Sequence, residues 1–493
     1  MERLVISQDH RHLEPENGGD FFWLADTVWV LPTKINWQDA IYLMDKRVQQ
    51  GFTVLQVAAL GPDGMDRMYN PSGEPAFFNE RLDQPNECYF RYLDWLLDRA
   101  MERNLYVLLL PVWEQMVIGE NWGGKKYKKI LNEKSAYDYG LWIGNRYKHQ
   151  KNIIWCLGGD CHPIYKGTDY KNVWRRLAEG IGKGVTGKDL KWDVPDPDWS
   201  RALMTYHPCY EPETGLHSTM SYWTDEDVWI DFIMNQSGHG DKTQNYIQIK
   251  KDYERENIKP VFDGEPAYEA MPTGWPGDFP LHDAWMVRKR AYWSLFSGAF
   301  GHTYGHACVW SGISEREKDG YPCTWYEALD YPGAWNMRVL KDFITSRPFR
   351  NVVPCQEMIR HCRLCKDGCL DDHRQACVDK DRRFAFVYLS SGGTETVDLS
   401  VLTAKELNVW WFDPKTGCCA SSRKAAVNKP EVIQNDQSWK DFTAPEQGEN
   451  KDWILVLEDP SFGWDAPGLP LETVRAGFKT ELAKREKVFQ WQD

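Results

Sequence analysis

One pattern recurs eight times between about residues 20 and 310: a short, apolar, β-rich run followed by a longer segment with helical spacing. The runs are FFWLADTVW (21–29), FTVLQVAAL (52–60), YVLLLPVW (106–113), IIWCLGGD (153–160), LMTYHP (203–208), IDFIMNQSG (230–238), PVFDGEP (260–266) and HTYGHACVW (302–310). Strands alternating with helices predict a parallel sheet joined by crossovers. Eight such units over about 290 residues predict a closed α/β fold, the (β/α)8 TIM barrel. Two of the helices are legible in detail. Residues 88–103 carry Tyr89, Leu93, Leu96, Leu97 and Ala100 as an apolar stripe behind Asn86, a candidate N-cap, and 283–297 carry a second stripe.

After a last helix near 331–346 the rhythm changes to short alternating strands separated by turns such as SGGT and PKTG, which predicts a small antiparallel β-sandwich. Pro348 and Pro354 mark the junction. The expected organisation is therefore a barrel domain over 1–350, a sandwich over 351–460, and a tail over 461–493. Leu471, Val474, Phe478 and Leu482 give that tail helical spacing suited to docking on the body or on a second copy, as in a homo-oligomer.

In such a barrel the reactive groups sit at the C-terminal ends of the strands. Asp160 closes the fourth run behind Gly158 and Gly159, which remove side chains from its approach, and Glu265 closes the seventh in DGEP. Ends four and seven face one another across the barrel mouth, at a span that a sugar ring bridges. Glycoside hydrolysis needs one carboxyl group to protonate the departing oxygen and a second to attack or stabilise the anomeric carbon. Asp160 and Glu265 supply that pair, with Asp263 one layer deeper as an orienting group. The remaining ends offer a ring for hydroxyl recognition: Asp26, Trp29, Gln56, Trp113, His207, Gln236, His239, His302 and Tyr304, with Glu114 and His306 beside them.

Composition narrows the partners. The 59 basic against 72 acidic residues give a net charge of −13, spread without basic blocks, which argues against nucleic acid and anionic membranes. No apolar run reaches the roughly 18 residues of a membrane span. The 25 Trp, 23 Tyr and 20 Phe suit a carbohydrate partner, because their rings stack on sugar C–H faces. Thirteen cysteines without paired spacing read as reduced, which favours the cytoplasm. No cofactor is expected and no catalytic metal, since His302 and His306 on one strand would stand about 13 Å apart. Cys362 and Cys365 could begin a zinc site within the cluster from Cys355 to Cys377, but no second pair follows at finger spacing, and a reduced linker is the expectation.

The motifs LADTVW, PNECYFRYLDWLLDRA, RYKHQKNIIWCLGGD, NQSGH, KPVFDGEPAYE and RKRAYWSLFSGAFGHTYGH, with WWFDPKTG in the sandwich, resemble glycoside hydrolase family 140, the apiosidases, over roughly residues 5–460. The resemblance implies a (β/α)8 barrel followed by a β-sandwich named for collagen binding. It also implies that Asp160 of GGD is the acid/base and Glu265 of DGEP the nucleophile of a retaining β-apiofuranosidase acting on plant glycans or glycosides. Another pentofuranosidase, a β-glycosidase on pectic material and a non-catalytic carbohydrate-binding protein are the alternatives. Paired Trp410 and Trp411 point to opposite faces of a strand, so the sandwich is expected to be a buttress rather than a sugar platform.

Overall fold

The computed structural model describes residues 1–62, 67–121, 124–211, 213–274, 280–360, 372–420 and 429–469. Cys362, Cys365, Cys369 and the expected tail helix lie outside them. The chain divides into two compact units, one of residues 1–295 with 299–334 and one of residues 296–298 with 335–493.

The first unit is the expected barrel. Its eight strands are β1 (Trp23–Thr27), β2 (Val54–Ala58), β3 (Tyr106–Leu110), β4 (Ile153–Gly158), β5 (Met204–His207), β6 (Ile233–Asn235), β7 (Val261–Asp263) and β8 (Gly301–Tyr304). All neighbouring pairs are parallel, and β8 returns to pair with β1, Gly301 opposite Trp23. The single unladdered seam, between β5 and β6, is stitched locally: the Met204 amide donates to Asp231 Oδ2 at 2.8 Å and Thr205 Oγ1 donates to the Phe232 carbonyl at 2.6 Å.

Strand parity separates two cores. Residues facing inward, including Trp23, Ala25, Val54, Leu108, Ile154, Phe232, Phe262 and Phe300, fill the barrel together with Leu4 and Leu13 of an N-terminal hairpin. Alternate residues such as Leu55, Leu109, Leu157 and Tyr206 pack against the helices. Those helices include α1 (Trp37–Gln49), α2 (Glu87–Glu102), α3 (Glu133–Tyr147), α4 (Lys171–Thr186), α5 (Asn245–Tyr253) and α6 (Ala284–Phe296). Helix α2 begins where its stripe predicts, with the Asn86 side chain accepting the Cys88 amide at 3.0 Å. Helices α3 and α4 touch through glycines. A Cβ on Gly140 would meet the Leu177 carbonyl oxygen at 2.5 Å, and one on Gly180 the Tyr137 carbonyl oxygen at 2.3 Å.

Two readings of the sequence need correction. Among the described residues between β5 and β6 there is no α-helix but a 3-10 turn at Thr219–Ser221, and Trp223 and Trp229 are buried in the outer core. The run HTYGHACVW is a strand only as far as Tyr304. Gly305 packs against the Tyr268 ring, and the His306 side chain accepts the Cys308 amide and opens a short helix, Ala307–Trp310.

The second unit holds a seven-stranded antiparallel sheet and a separate ribbon of Gly392–Asp398 with Trp439–Gln447. Val397, Phe442 and Ala444 of the ribbon share a core with Val387, Val409, Trp411 and Leu455 of the sheet. Trp410 and Trp411 are both buried, Trp410 donating its indole N–H to Glu458 at 2.9 Å, so neither ring is an open sugar platform.

Candidate active site

After β4 the chain takes three consecutive positive φ angles, at Gly158 (91°), Gly159 (104°) and Asp160 (55°). A side chain on Gly158 would strike the His207 carbonyl at 2.5 Å and one on Gly159 the Trp113 indole at 2.8 Å, so both glycines are dictated by packing as well as by backbone angle. The resulting turn brings the Asp160 amide to 3.1 Å from His207 Nδ1 at the end of β5. The other nitrogen of that ring, Nε2, lies 2.7 Å from Glu265 Oε2 beyond the end of β7. Asp160 and Glu265 therefore meet around one imidazole.

The partners of the two carboxyl groups differ. Asp160 accepts the Gln236 side-chain amide at Oδ1, 2.8 Å away, and Gln236 is held in turn by the Tyr210 amide donating to its Oε1. Burial, and next the charge of Glu265, raise Asp160 to about 6. Burial also acts to raise Glu265, which is only 7% exposed. Hydrogen bonds from His207 and from His239, whose Nε2 is 3.3 Å from Oε1, more than offset it and hold Glu265 well below the ordinary carboxylate range. Burial by itself would lower His207, but the same Glu265 contact raises it, and Nδ1 lies 2.8 Å from the Pro208 carbonyl.

Among the other residues selected from sequence, Trp29 and Trp113 flank this group. Their rings cross at 5.1 Å, and they sit 5.5 and 6.0 Å from His207. Gln56 lies beneath it inside the barrel, donating to Thr27 Oγ1 and to the Gly264 carbonyl. Asp263 is fully buried and accepts Ser237 and Asn245, both at 2.9 Å. Asp263, bonded to Asn245 of α5 rather than to Glu265, faces the helices, and three more residues do the same. Asp26 is sealed in an ion pair with Arg47 of α1 at 2.6 Å, His302 contacts Ser294 of α6, and Tyr304 donates to Glu269.

Two groups outside the proposed catalytic pair and its ring belong to the centre. Glu114, four residues past β3, is buried with both carboxyl oxygens lacking a hydrogen-bond partner among the described residues. Burial and the nearby charges of Asp160 and Glu265 raise it well above the usual range. Tyr268, in DGEPAYE, donates to Thr27 Oγ1 at 3.1 Å and packs on His239. Both follow a strand end closely, and that was their only signal in the sequence.

A family model described as "Apiosidase-like, catalytic domain" matches residues 7–351, and "Putative collagen-binding domain of a collagenase" matches 353–458. Among solved structures, one described as a glycoside hydrolase shares 27% identity at a TM-score of 0.77, covering 93% of this chain and 97% of that one. A glycoside hydrolase family 5 protein from Bacteroides vulgatus ATCC 8482 also shares 27% identity, with a TM-score of 0.76 and coverage of 95% and 96%. A further glycoside hydrolase from that organism, 11% identical with a TM-score of 0.62, is alike in fold. No curated protein matches. Among the described residues no helix is long and apolar enough to cross a membrane.

Proposed function

The chain belongs to the apiosidase-like glycoside hydrolases, and on that premise we propose that it is a retaining enzyme releasing β-apiofuranosyl units from plant glycans or glycosides. The observation that carries this reading is the opposite treatment of two carboxyl groups around His207. Glu265 is kept ionised by two histidines, while Asp160 holds its proton to about 6. An acid and a nucleophile with separated proton affinities are what a double displacement requires.

In the first step Asp160 gives its proton to the departing oxygen while Glu265 attacks the anomeric carbon and forms a covalent glycosyl ester. In the second, Asp160 takes a proton from water as that water attacks the same carbon, and Glu265 leaves as carboxylate. His207 and His239 orient Glu265, and Gln236 orients Asp160. Burial disfavours ionisation of Glu114, and its oxygens lack a partner among the described residues, so it is placed to offer an O–H to a sugar hydroxyl. The near-closed walls of Trp29 and Trp113, with Glu265 only 7% exposed, suit a single small ring such as a furanose.

Proton NMR of the first product from a defined β-apiofuranoside tests the assignment. Retention of configuration is expected, and inversion removes Glu265 from the nucleophile's role. Asp160→Asn and Glu265→Gln should each lower turnover by several orders of magnitude with melting temperature nearly unchanged. If both remain active, the chemistry lies elsewhere. A chromogenic panel separates apiofuranosides from other pentofuranosides and β-glycosides.

A further inference from the structure

The segment that follows β8 makes a long excursion, from Gly305 to Tyr331, before the next long helix begins at Pro332. Three residues of metal-binding type converge within it. An imidazole nitrogen of His306 and the sulfur atoms of Cys308 and Cys323 all lie within 4.8 Å of one another, and all three residues are buried. We propose that His306, Cys308 and Cys323 bind a soft divalent cation of the zinc type, which clamps this excursion against the end of the barrel.

The donor set suits that cation. Two thiolates and an imidazole are zinc ligands, with a fourth position left to water. Sulfur atoms on a tetrahedral zinc stand roughly 3.8 Å apart, given bonds of about 2.3 Å, so the cluster needs to contract by about 1 Å at most. The surroundings are those of ligating sulfur. The Cys323 amide donates to Cys308 Sγ, and the Tyr331 hydroxyl is hydrogen-bonded to Cys323. His306 Nε2 is buried and, among the described residues, has no hydrogen-bond partner. Its Nδ1 accepts the Cys308 amide at 3.1 Å. A neutral imidazole has one lone pair, so a cation competes with that amide for it. One hydrogen bond is a small loss beside three metal–ligand bonds.

Burial, and then Cys323, push the Cys308 thiol up to about 12. Zinc takes cysteine as thiolate, so binding displaces the proton of each thiol, with no change in oxidation state.

Reduced full-length protein titrated with cobalt(II) provides the test, read as thiolate-to-cobalt charge-transfer absorption and as bound metal by native mass spectrometry. One equivalent is expected to be lost in Cys308→Ser and in Cys323→Ser and kept in the double variant Cys362→Ser, Cys365→Ser. Zinc should raise the melting temperature of the wild type and not that of Cys323→Ser. Cys323 lies nearer the surface at 5% exposure, so its variant serves if Cys308→Ser does not fold. The proposal is overturned if no charge-transfer band forms, or if the band survives in Cys323→Ser. It is equally overturned if peptide mapping of protein isolated with its thiols blocked finds Cys308 joined to Cys323 as a disulfide.

Discussion

Burial acts on Asp160 and Glu265 in the same direction, yet one keeps its proton and the other does not, because two histidines face Glu265 and a neutral amide faces Asp160. With Asp160 near 6, kcat/KM should fall as pH rises through about 6, since the ionised form has no proton to donate. Gln236 stabilises that ionised form, so Gln236→Leu should raise the Asp160 pKa and move this limb to higher pH; a pH–rate profile in which the limb stays put or moves lower denies Gln236 that part. Burial and the charges of Asp160 and Glu265 disfavour ionisation of Glu114, so Glu114→Gln should leave the limb where it is. A downward shift of the limb would mean that Glu114 is charged in the native enzyme, because removing a nearby negative charge eases ionisation of Asp160. Strand-end position found Asp160, Glu265, His207, Gln236 and His239 in the sequence. It also returned Asp26, Asp263, His302 and Tyr304, which face the helices. In strands such as WLADT, where every residue is buried, no polar alternation reveals which side a residue takes.

Parity of this kind is fixed only when elements pack, and the α3–α4 pair shows how closely they do. Gly140 and Gly144 on one helix and Gly180 and Gly184 on the other leave room for backbone against backbone: a methyl added at any of the four would lie 2.3–2.6 Å from a main-chain atom of the facing helix. Gly180→Ala adds that methyl where neither side has a flexible chain to move. Although alanine is the better helix former, the substitution should destabilise by about 1–3 kcal/mol, measured by denaturant unfolding. Equal or greater stability would mean that the two helices separate without loss. Periodicity marks helices such as α2 because a helix half exposed to water must alternate. It is silent about the tryptophan-filled loop between β5 and β6, where Trp223 and Trp229 are buried without any helical frame. It also misses the end of β8, where Gly305 and the His306 cap, rather than hydrophobic pattern, stop the strand.

On the scale of the whole chain, the sequence break at Pro348 and Pro354 and the division of the folded units fall in different places. The second unit takes residues 335–350 and also 296–298, from the end of α6. The reason is a run of aromatic contacts inside that unit. Phe343 lies 4.9 Å from Phe386 and 4.6 Å from Phe412, and Phe296 stacks on Phe386 at 5.8 Å. A chain ended at residue 350 would keep all eight barrel strands, Asp160 and Glu265, but would lose Phe386 and Phe412 and so expose Phe296 and Phe343 to water. Each buried phenylalanine contributes about 1.5–3 kcal/mol, so the loss is large beside the stability of an ordinary domain. The truncated chain should melt at lower temperature and bind a hydrophobic dye, and Phe343→Ser in the intact chain should reproduce part of that loss. If the 1–350 chain melts with the intact protein and keeps its turnover, these aromatic contacts contribute nothing to its stability.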